Sequence, residues 1–399
     1  MENNNLNKTF PIINISFITI ALLLTLGCNN GKKLAVDTLT DDGVAHWIGD
    51  GKPIPQHDSL FYLDDRAPLF RKEFDVTDNL KSAKLFITAA GYYYALLNGE
   101  RVGQNMLDPA WTDFSKRIYY TEYDILDMLV PGNNCIDVTL GNGFYNPLPM
   151  RMWGKRNLRE VLQVGRPAFI GKIVLEYKNG KTDIIGTDRS WKYTEGPILK
   201  NDVYLGEVYN AQYEPDGWHL TGFIDTSWQN ANYSDGPGGK LMKSFFPPVQ
   251  VTKQIDAVDI YSPQKDTYIV DMGVNFTGMY KMRLRGEYGD SIVFRLGERT
   301  YDDGSLNPMT AVCGQIKKAG MGGPGAPDIA WQTDTYIFGD QKEVWYQPEF
   351  TFHTFRYLEI KGLGYKPDLS DIKGLAINSN VDESNHFSSS SQLINNIQE

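Results

Sequence analysis

From residue 85 to residue 102 the chain reads Leu-Phe-Ile-Thr-Ala-Ala-Gly-Tyr-Tyr-Tyr-Ala-Leu-Leu-Asn-Gly-Glu-Arg-Val, and this stretch constrains the fold more than any other. β-Branched and aromatic side chains suit a pleated, half-buried surface. Asn98-Gly99 is the pair best able to take the two positive φ angles of a tight hairpin turn. The pattern returns at 135–140, which alternates at period two, and at 169–177, where Lys178-Asn179-Gly180-Lys181 sends the chain back along 182–185. Shorter strands are expected at 69–74, 190–193, 204–211, 258–261, 267–270, 280–285, 291–296, 335–338, 343–345, 356–361 and 374–377. Residues 61–63 and 69–74 surround Asp64-Asp65-Arg66-Ala67-Pro68, a pattern that suggests an edge strand leading into the first module.

Short strands at this spacing predict sandwiches. Composition points the same way, since 13% aromatic residues with 38 Gly and 20 Pro favour strands joined by turns. A chain of 399 residues is long for one core, so two domains are expected. Gly236-Pro237-Gly238-Gly239-Lys240 marks the boundary between them. The fold class is therefore all-β, with two β-sandwich domains. The irregular stretch 301–330, containing Gly320-Met321-Gly322-Gly323-Pro324-Gly325-Ala326-Pro327, is the kind of long loop that is usually functional or mobile.

Both ends differ from this body. Residues 12–27 form an apolar run behind a polar start with one Lys, too short to span a bilayer and suited to a signal peptide. Thr25-Leu26-Gly27-Cys28 resembles a bacterial lipobox, which makes Cys28 the lipidation candidate and residues 29–44 a tether. At the other end, Ser388 to Ser391 precede apolar positions 393, 394 and 397, the beginning of an amphipathic helix.

Charge and metal ligands narrow the function. A formal charge of -10 without a Lys/Arg cluster argues against nucleic acid. The five His, at 46, 57, 219, 353 and 386, have no zinc-type spacing, and no D-x-D-x-D-G calcium loop occurs, so the metal class is unknown. Cys135 and Cys313 read as two buried thiols, because one distant pair is no disulfide framework.

The candidate ligand contacts lie in 108–113 and 141–146. Trp111, Phe144 and Tyr145 offer faces for a sugar ring, Asn142 and Asn146 offer amides to its hydroxyls, and Asp108 a carboxylate. Their structural alternative is core packing for the aromatics and turn chemistry for the asparagines. Hydrolysis of a glycosidic bond generally uses two carboxylates in one cleft. Glu298 with Asp302-Asp303, Asp64-Asp65, and Asp108 with Asp113 are the pairs to weigh. Asp271-Met272-Gly273-Val274-Asn275-Phe276-Thr277-Gly278 is the most distinctive phrase of the second half, with two glycines around Asn-Phe suggesting a tight backbone feature.

Taken in order, that phrase, Gly297-Glu298 ahead of Asp303-Gly304-Ser305-Leu306, Asp334-Thr335-Tyr336, and the run from Pro348 to Tyr357 resemble the concanavalin-like domain of bacterial α-L-rhamnosidases of glycoside hydrolase family 78. Upstream, Leu97-Asn98-Gly99-Glu100-Arg101-Val102-Gly103, Pro109-Ala110-Trp111-Thr112-Asp113, Gly141-Asn142-Gly143-Phe144-Tyr145 and Gly206-Glu207-Val208-Tyr209-Asn210-Ala211 resemble that family's N-terminal jelly-roll domain. The family often has Asp where Asn142 stands and Trp where Phe144 stands.

The resemblance implies this layout: signal peptide 1–28, tether 29–44, jelly-roll domain 45–240, concanavalin-like domain 241–380, and at 381–399 the truncated start of an (α/α)₆ catalytic barrel. It implies an inverting hydrolase whose general acid and base sit on that barrel, so no catalytic residue is assigned between Met1 and Glu399. Asp108, Trp111, Asn142, Tyr145 and Asn146 become candidate rhamnose contacts. No cofactor is required, and calcium enters because related N-terminal modules bind rhamnose through it. The expected partner is a rhamnose-containing glycoside or polysaccharide, with the membrane met only through a lipid anchor on the cell envelope, periplasmic or at the outer surface. A stand-alone carbohydrate-binding lipoprotein without catalysis is the rival reading. A hydrolytic sandwich using Glu298 and a nearby Asp is a third.

Overall fold

The computed structural model describes residues 37–41, 43–152, 156–382 and 386–398. Cys28 and the expected signal peptide before it lie outside the described residues. The stretch 85–102 holds the corner of the first sandwich. Strand Leu80–Ala90 belongs to one sheet, between Ala168–Tyr177 and Arg117–Asp124, while strand Tyr92–Leu97 belongs to another, beside Gly132–Gly141. The chain crosses at Gly91, whose φ is 104°. A side chain there would also strike the carbonyl oxygen of Gly141, which lies 2.4 Å from an ideal Cβ. Both facts demand glycine. The Asn98-Gly99 hairpin forms as expected, with φ of 55° and 86°, and strand Glu100–Arg101 pairs back on Tyr92–Leu97.

Leu85, Ile87, Phe169 and Ile173 from the first sheet meet Phe70, Phe74, Ile136 and Val138 from the second in one buried cluster. Phe70 packs edge-on against Phe169 at 5.1 Å across the gap. Each such side chain contributes about 1.5–3 kcal/mol by leaving water.

Strand Pro68–Val76 is not an edge. It runs in the interior of its sheet between Lys192–Glu195 and Gly132–Gly141. The outward charge of this strand is covered by the segment 217–225. Since alternate residues face opposite ways, Phe70 enters the core and Arg71 points outward, yet Arg71 is only 1% exposed. Its guanidinium donates to the carbonyls of Trp218 and Leu220 (both 3.0 Å), to Glu73 (2.7 Å), to Asp225 (2.5 Å) and to the Cys135 sulfur (3.3 Å).

A ten-stranded sheet forms the second body, with the order Ile198–Asp202, Gly206–Asn210, Thr333–Ile337, Ser291–Gly297, His353–Lys361, Thr267–Arg285, Ile372–Ser379, Val249–Asp256, and two further strands on Thr267–Arg285. Its core includes Tyr280, Phe294, Phe338 and Phe355. The hairpin 198–210, upstream of the glycine-rich boundary in sequence, pairs into this sheet through a parallel ladder with Thr333–Ile337. In return, Lys240–Lys243 pairs in parallel with Arg117–Asp124 of the first sandwich.

The phrase 271–278 is a wide bulge in Thr267–Arg285. Asp271 stands opposite Tyr357 and Phe276 opposite Phe355, so four intervening residues on one strand face a single residue on the other. Gly273 supplies the positive φ of 76°, its N–H donates to Asp271 Oδ1, and Arg356 clamps the Asp271 carboxylate from both sides at 2.8 Å.

The excursion 301–330 is packed rather than loose. Cys313, Ile316 and Ala330 share a buried cluster with Met150, Met152 and Leu158, which fixes it against the first sandwich. Cys135 and Cys313 are free and buried thiols, as the sequence suggests. The short helix Gln392–Gln398 is present, with Leu393, Ile394 and Ile397 exposed.

Candidate functional site

The candidate ligand residues fall into three neighbourhoods. The first is a cleft of about 480 Å³ between the 103–123 region and the linker 243–250. Asp108, 9% exposed, lies on its wall. Its Oδ2 accepts hydrogen bonds from Asn105 Nδ2 (2.8 Å), Thr121 Oγ1 (3.0 Å) and the Tyr123 hydroxyl (3.0 Å). Burial pushes this carboxyl above the ordinary aspartate range, and the three donors only partly oppose the shift. The strand Arg117–Asp124 places Thr121 and Tyr123 on one face at period two, so register alone aims both at Asp108.

The second is an open groove of about 600 Å³ lined by Trp111, Asp113, Glu160, Val161 and Gln163, among others. Trp111 is 52% exposed. One face of its indole is taken by Phe144, stacked at 4.7 Å and 30°, which holds the ring in place. Asp113 is engaged by Lys116 and by the Ser115 hydroxyl and N–H, and these hold its carboxyl down at about 2.

The third is a pocket of about 320 Å³ whose walls include Asn142, Asn146, Tyr62 and Asp202. Here the asparagines serve the protein. Asn142 N–H donates to Asn201 Oδ1 (2.6 Å), Asn142 Nδ2 to Asn201 O (3.0 Å), Asn146 Nδ2 to Asn142 Oδ1 (2.7 Å), and Arg159 Nη1 to Asn146 Oδ1 (2.9 Å). A guanidinium on one amide oxygen and an amide N–H on the other do not fit a calcium ion, which needs those oxygens free. Among the described residues no group of three or more His, Cys, Asp or Glu is arranged to hold a metal. Tyr145 is 6% exposed and packs edge-on against Phe114 at 5.2 Å.

The structure thus brings Trp111 and Phe144 together, and Asn142 with Asn146, but gives Asp108 a cleft of its own. Most of the candidate carboxylates also have partners of their own. Asp108 and Asp113 line different cavities. Burial pushes Asp65 up, but Arg166 and Lys52 outweigh it and hold the carboxyl low, while Asp64 pairs with Lys200. Asp303 accepts from the Ser305 N–H and hydroxyl in a surface turn, and Glu298 accepts from Asn275. Sequence reading missed Glu160, Val161 and Gln163, which reach the Trp111 groove from the short helix Leu158–Val161 and the residues just after it, some fifty residues downstream. No local signal joins them to Trp111.

Two family models match this chain: the alpha-L-rhamnosidase N-terminal domain over residues 78–253 and the bacterial alpha-L-rhamnosidase concanavalin-like domain over residues 262–378. An alpha-L-rhamnosidase of Streptomyces avermitilis is 30% identical over 83% of this chain and 30% of its own length. One of Formosa agariphila is 30% identical over 82% of this chain and 33% of its own. The chain therefore spans about a third of the length of these relatives. Among solved structures, the alpha-L-rhamnosidase from Dictyoglumus thermophilum superposes with a TM-score of 0.75 at 35% identity, covering 88% of this chain and 38% of that one. The Streptomyces avermitilis enzyme complexed with L-rhamnose gives 0.73 at 28%, covering 84% and 31%.

Proposed function

The chain belongs to the bacterial α-L-rhamnosidases of glycoside hydrolase family 78, matching their N-terminal portion, and from that premise we propose that it is the accessory part of a secreted enzyme that hydrolyses terminal α-L-rhamnose. Its task is to engage rhamnose-bearing glycosides or polysaccharides and to support the hydrolytic machinery. The relatives' names and the L-rhamnose in one relative's structure support this substrate class.

The observation that carries the binding role is the free face of Trp111. A large apolar ring half exposed to water is costly unless something covers it, and its partner Phe144 already fixes the orientation. L-Rhamnose presents an apolar edge, ending in its methyl group, to such a ring. The polar ends of Glu160 and Gln163 flank the groove and suit its hydroxyls. Asn142, Asn146 and Tyr145 act beneath this surface by fixing the loop that carries Phe144, rather than by touching the sugar. Calorimetric titration with methyl α-L-rhamnopyranoside should show weak binding that Trp111→Ala reduces by roughly tenfold or more. Equal heats for both proteins would remove the sugar from this groove.

Export and anchoring belong to the same reading, supported by the lipobox-like sequence ending at Cys28. Expressed in a bacterial host fed a radiolabelled fatty acid, the full chain should take up label and lose it on Cys28→Ala. Label retained in that variant, or absent from both, argues against lipidation here.

A further inference from the structure

The cleft at Asp108 is built from parts that the Trp111 groove does not use. Oδ2 of Asp108 takes all three donors, and Oδ1 has no hydrogen-bond partner among the described residues although the side chain lines the cleft. That oxygen is open to the cleft and free to accept a hydrogen bond from a ligand. The lining of the cleft also includes the aromatic rings of Tyr119 and Phe246, which meet edge-on at 5.0 Å. The seam is held at fixed width by Gln250 donating to Asn105 Oδ1 (3.0 Å) and by Met106 N–H donating to Val249 O (2.8 Å). About 480 Å³ is the size of site that takes a small molecule.

We infer that this cleft binds the ring of a neutral sugar, with a hydroxyl donating to Asp108 Oδ1 and a C–H face against Phe246 and Tyr119. Acidic sugars are disfavoured. Their carboxylate would face Asp108, and the nearby Lys243 is already bound to Glu122, which also holds Lys84. The site straddles the seam between the first sandwich and strand Val249–Asp256, so an occupied cleft ties the two bodies together. It does not rest on the Trp111 reading, and the two can fail separately.

Saturation-transfer NMR on the full chain, with methyl α-L-rhamnopyranoside as the probe and D-glucuronate as the acidic control, tests it. In Trp111→Ala, saturation transfer to the rhamnoside should persist. Adding Phe246→Ala, or separately the near-isosteric Asp108→Asn, should lower it by about tenfold, with thermal unfolding checking that each variant still folds. Glucuronate should give no signal. The part of the tryptophan quenching by the rhamnoside that Trp111→Ala removes reports the other groove independently. No transfer in Trp111→Ala, transfer indifferent to both cleft substitutions, or clear transfer to glucuronate would each overturn the assignment.

Discussion

Replacing Arg71 by Leu should destabilise the chain by roughly 3–5 kcal/mol, the scale for removing one partner from a buried ionic network. The reason lies in what is left behind. Glu73 and Asp225 lose their shared cation, and the carbonyls of Trp218 and Leu220 lose their donor. Asp137, opposite Arg71 in the ladder, loses its nearest compensating charge. The segment 217–225 would then detach from the sheet, carrying Trp218 away from its contacts with Leu69 and Trp228. Urea unfolding of wild type and Arg71→Leu measures the difference, and Arg71→Lys should fall between them because a point charge cannot serve the fork of acceptors. A loss under 1 kcal/mol in Arg71→Leu would mean that the cover over this face is held by packing alone.

The second large effect is a loss of stability toward alkaline pH that Glu207→Gln should relieve. Glu207 sits where the hairpin 198–210 joins the second sheet, fully buried, with its carboxyl accepting the N–H groups of Glu349 (3.1 Å) and Phe350 (3.2 Å) and the Tyr346 hydroxyl 3.4 Å away. Burial, then the charges of Asp334 and Glu349, push it up to about 8. The folded state therefore holds a proton that the unfolded chain gives up near the ordinary glutamate value of 4.5. Stability from this group is full below that value and declines as pH rises to about 8, by up to about 5 kcal/mol. Asp137, also raised to about 8 by burial, acts in the same direction. Glutamine copies the protonated carboxyl: its oxygen accepts the two backbone N–H groups and its amide donates to Tyr346. Denaturation midpoints at pH 5, 7 and 9 should fall steeply for wild type and distinctly less for Glu207→Gln. Parallel curves would place the charge cost elsewhere.

The same two residues show how far the sequence could be read. Arg71 stands in a stretch whose pattern suggests an edge strand, and only the distant segment 217–225 turns that strand into an interior one with a buried cation. Glu207 was visible as part of a family phrase, but its burial depends on Asp334, Tyr346 and the 349–350 backbone, all more than a hundred residues away. The excursion 301–330 looked loose for the same reason: its apolar residues are too sparse to pack among themselves and find Met150, Met152 and Leu158 only in three dimensions.

By itself the sequence determined what is local in physical origin. Period-two alternation gave the strands, Asn98-Gly99 and Asn179-Gly180 the hairpins, and the ordered phrases the family. Positive φ angles and side-chain alternation act within a few residues, so they are written in neighbouring letters. The binding surface was decided only by tertiary structure. Among the residues first grouped as sugar contacts, folding turned Tyr145 inward, committed Asn142 and Asn146 to each other and to Arg159, left one face of Trp111 open, and set Asp108 in a separate cleft. Whether an amide or a ring is free for a ligand depends on which long-range partner reaches it first, and that contest is settled by packing between segments that the sequence keeps apart.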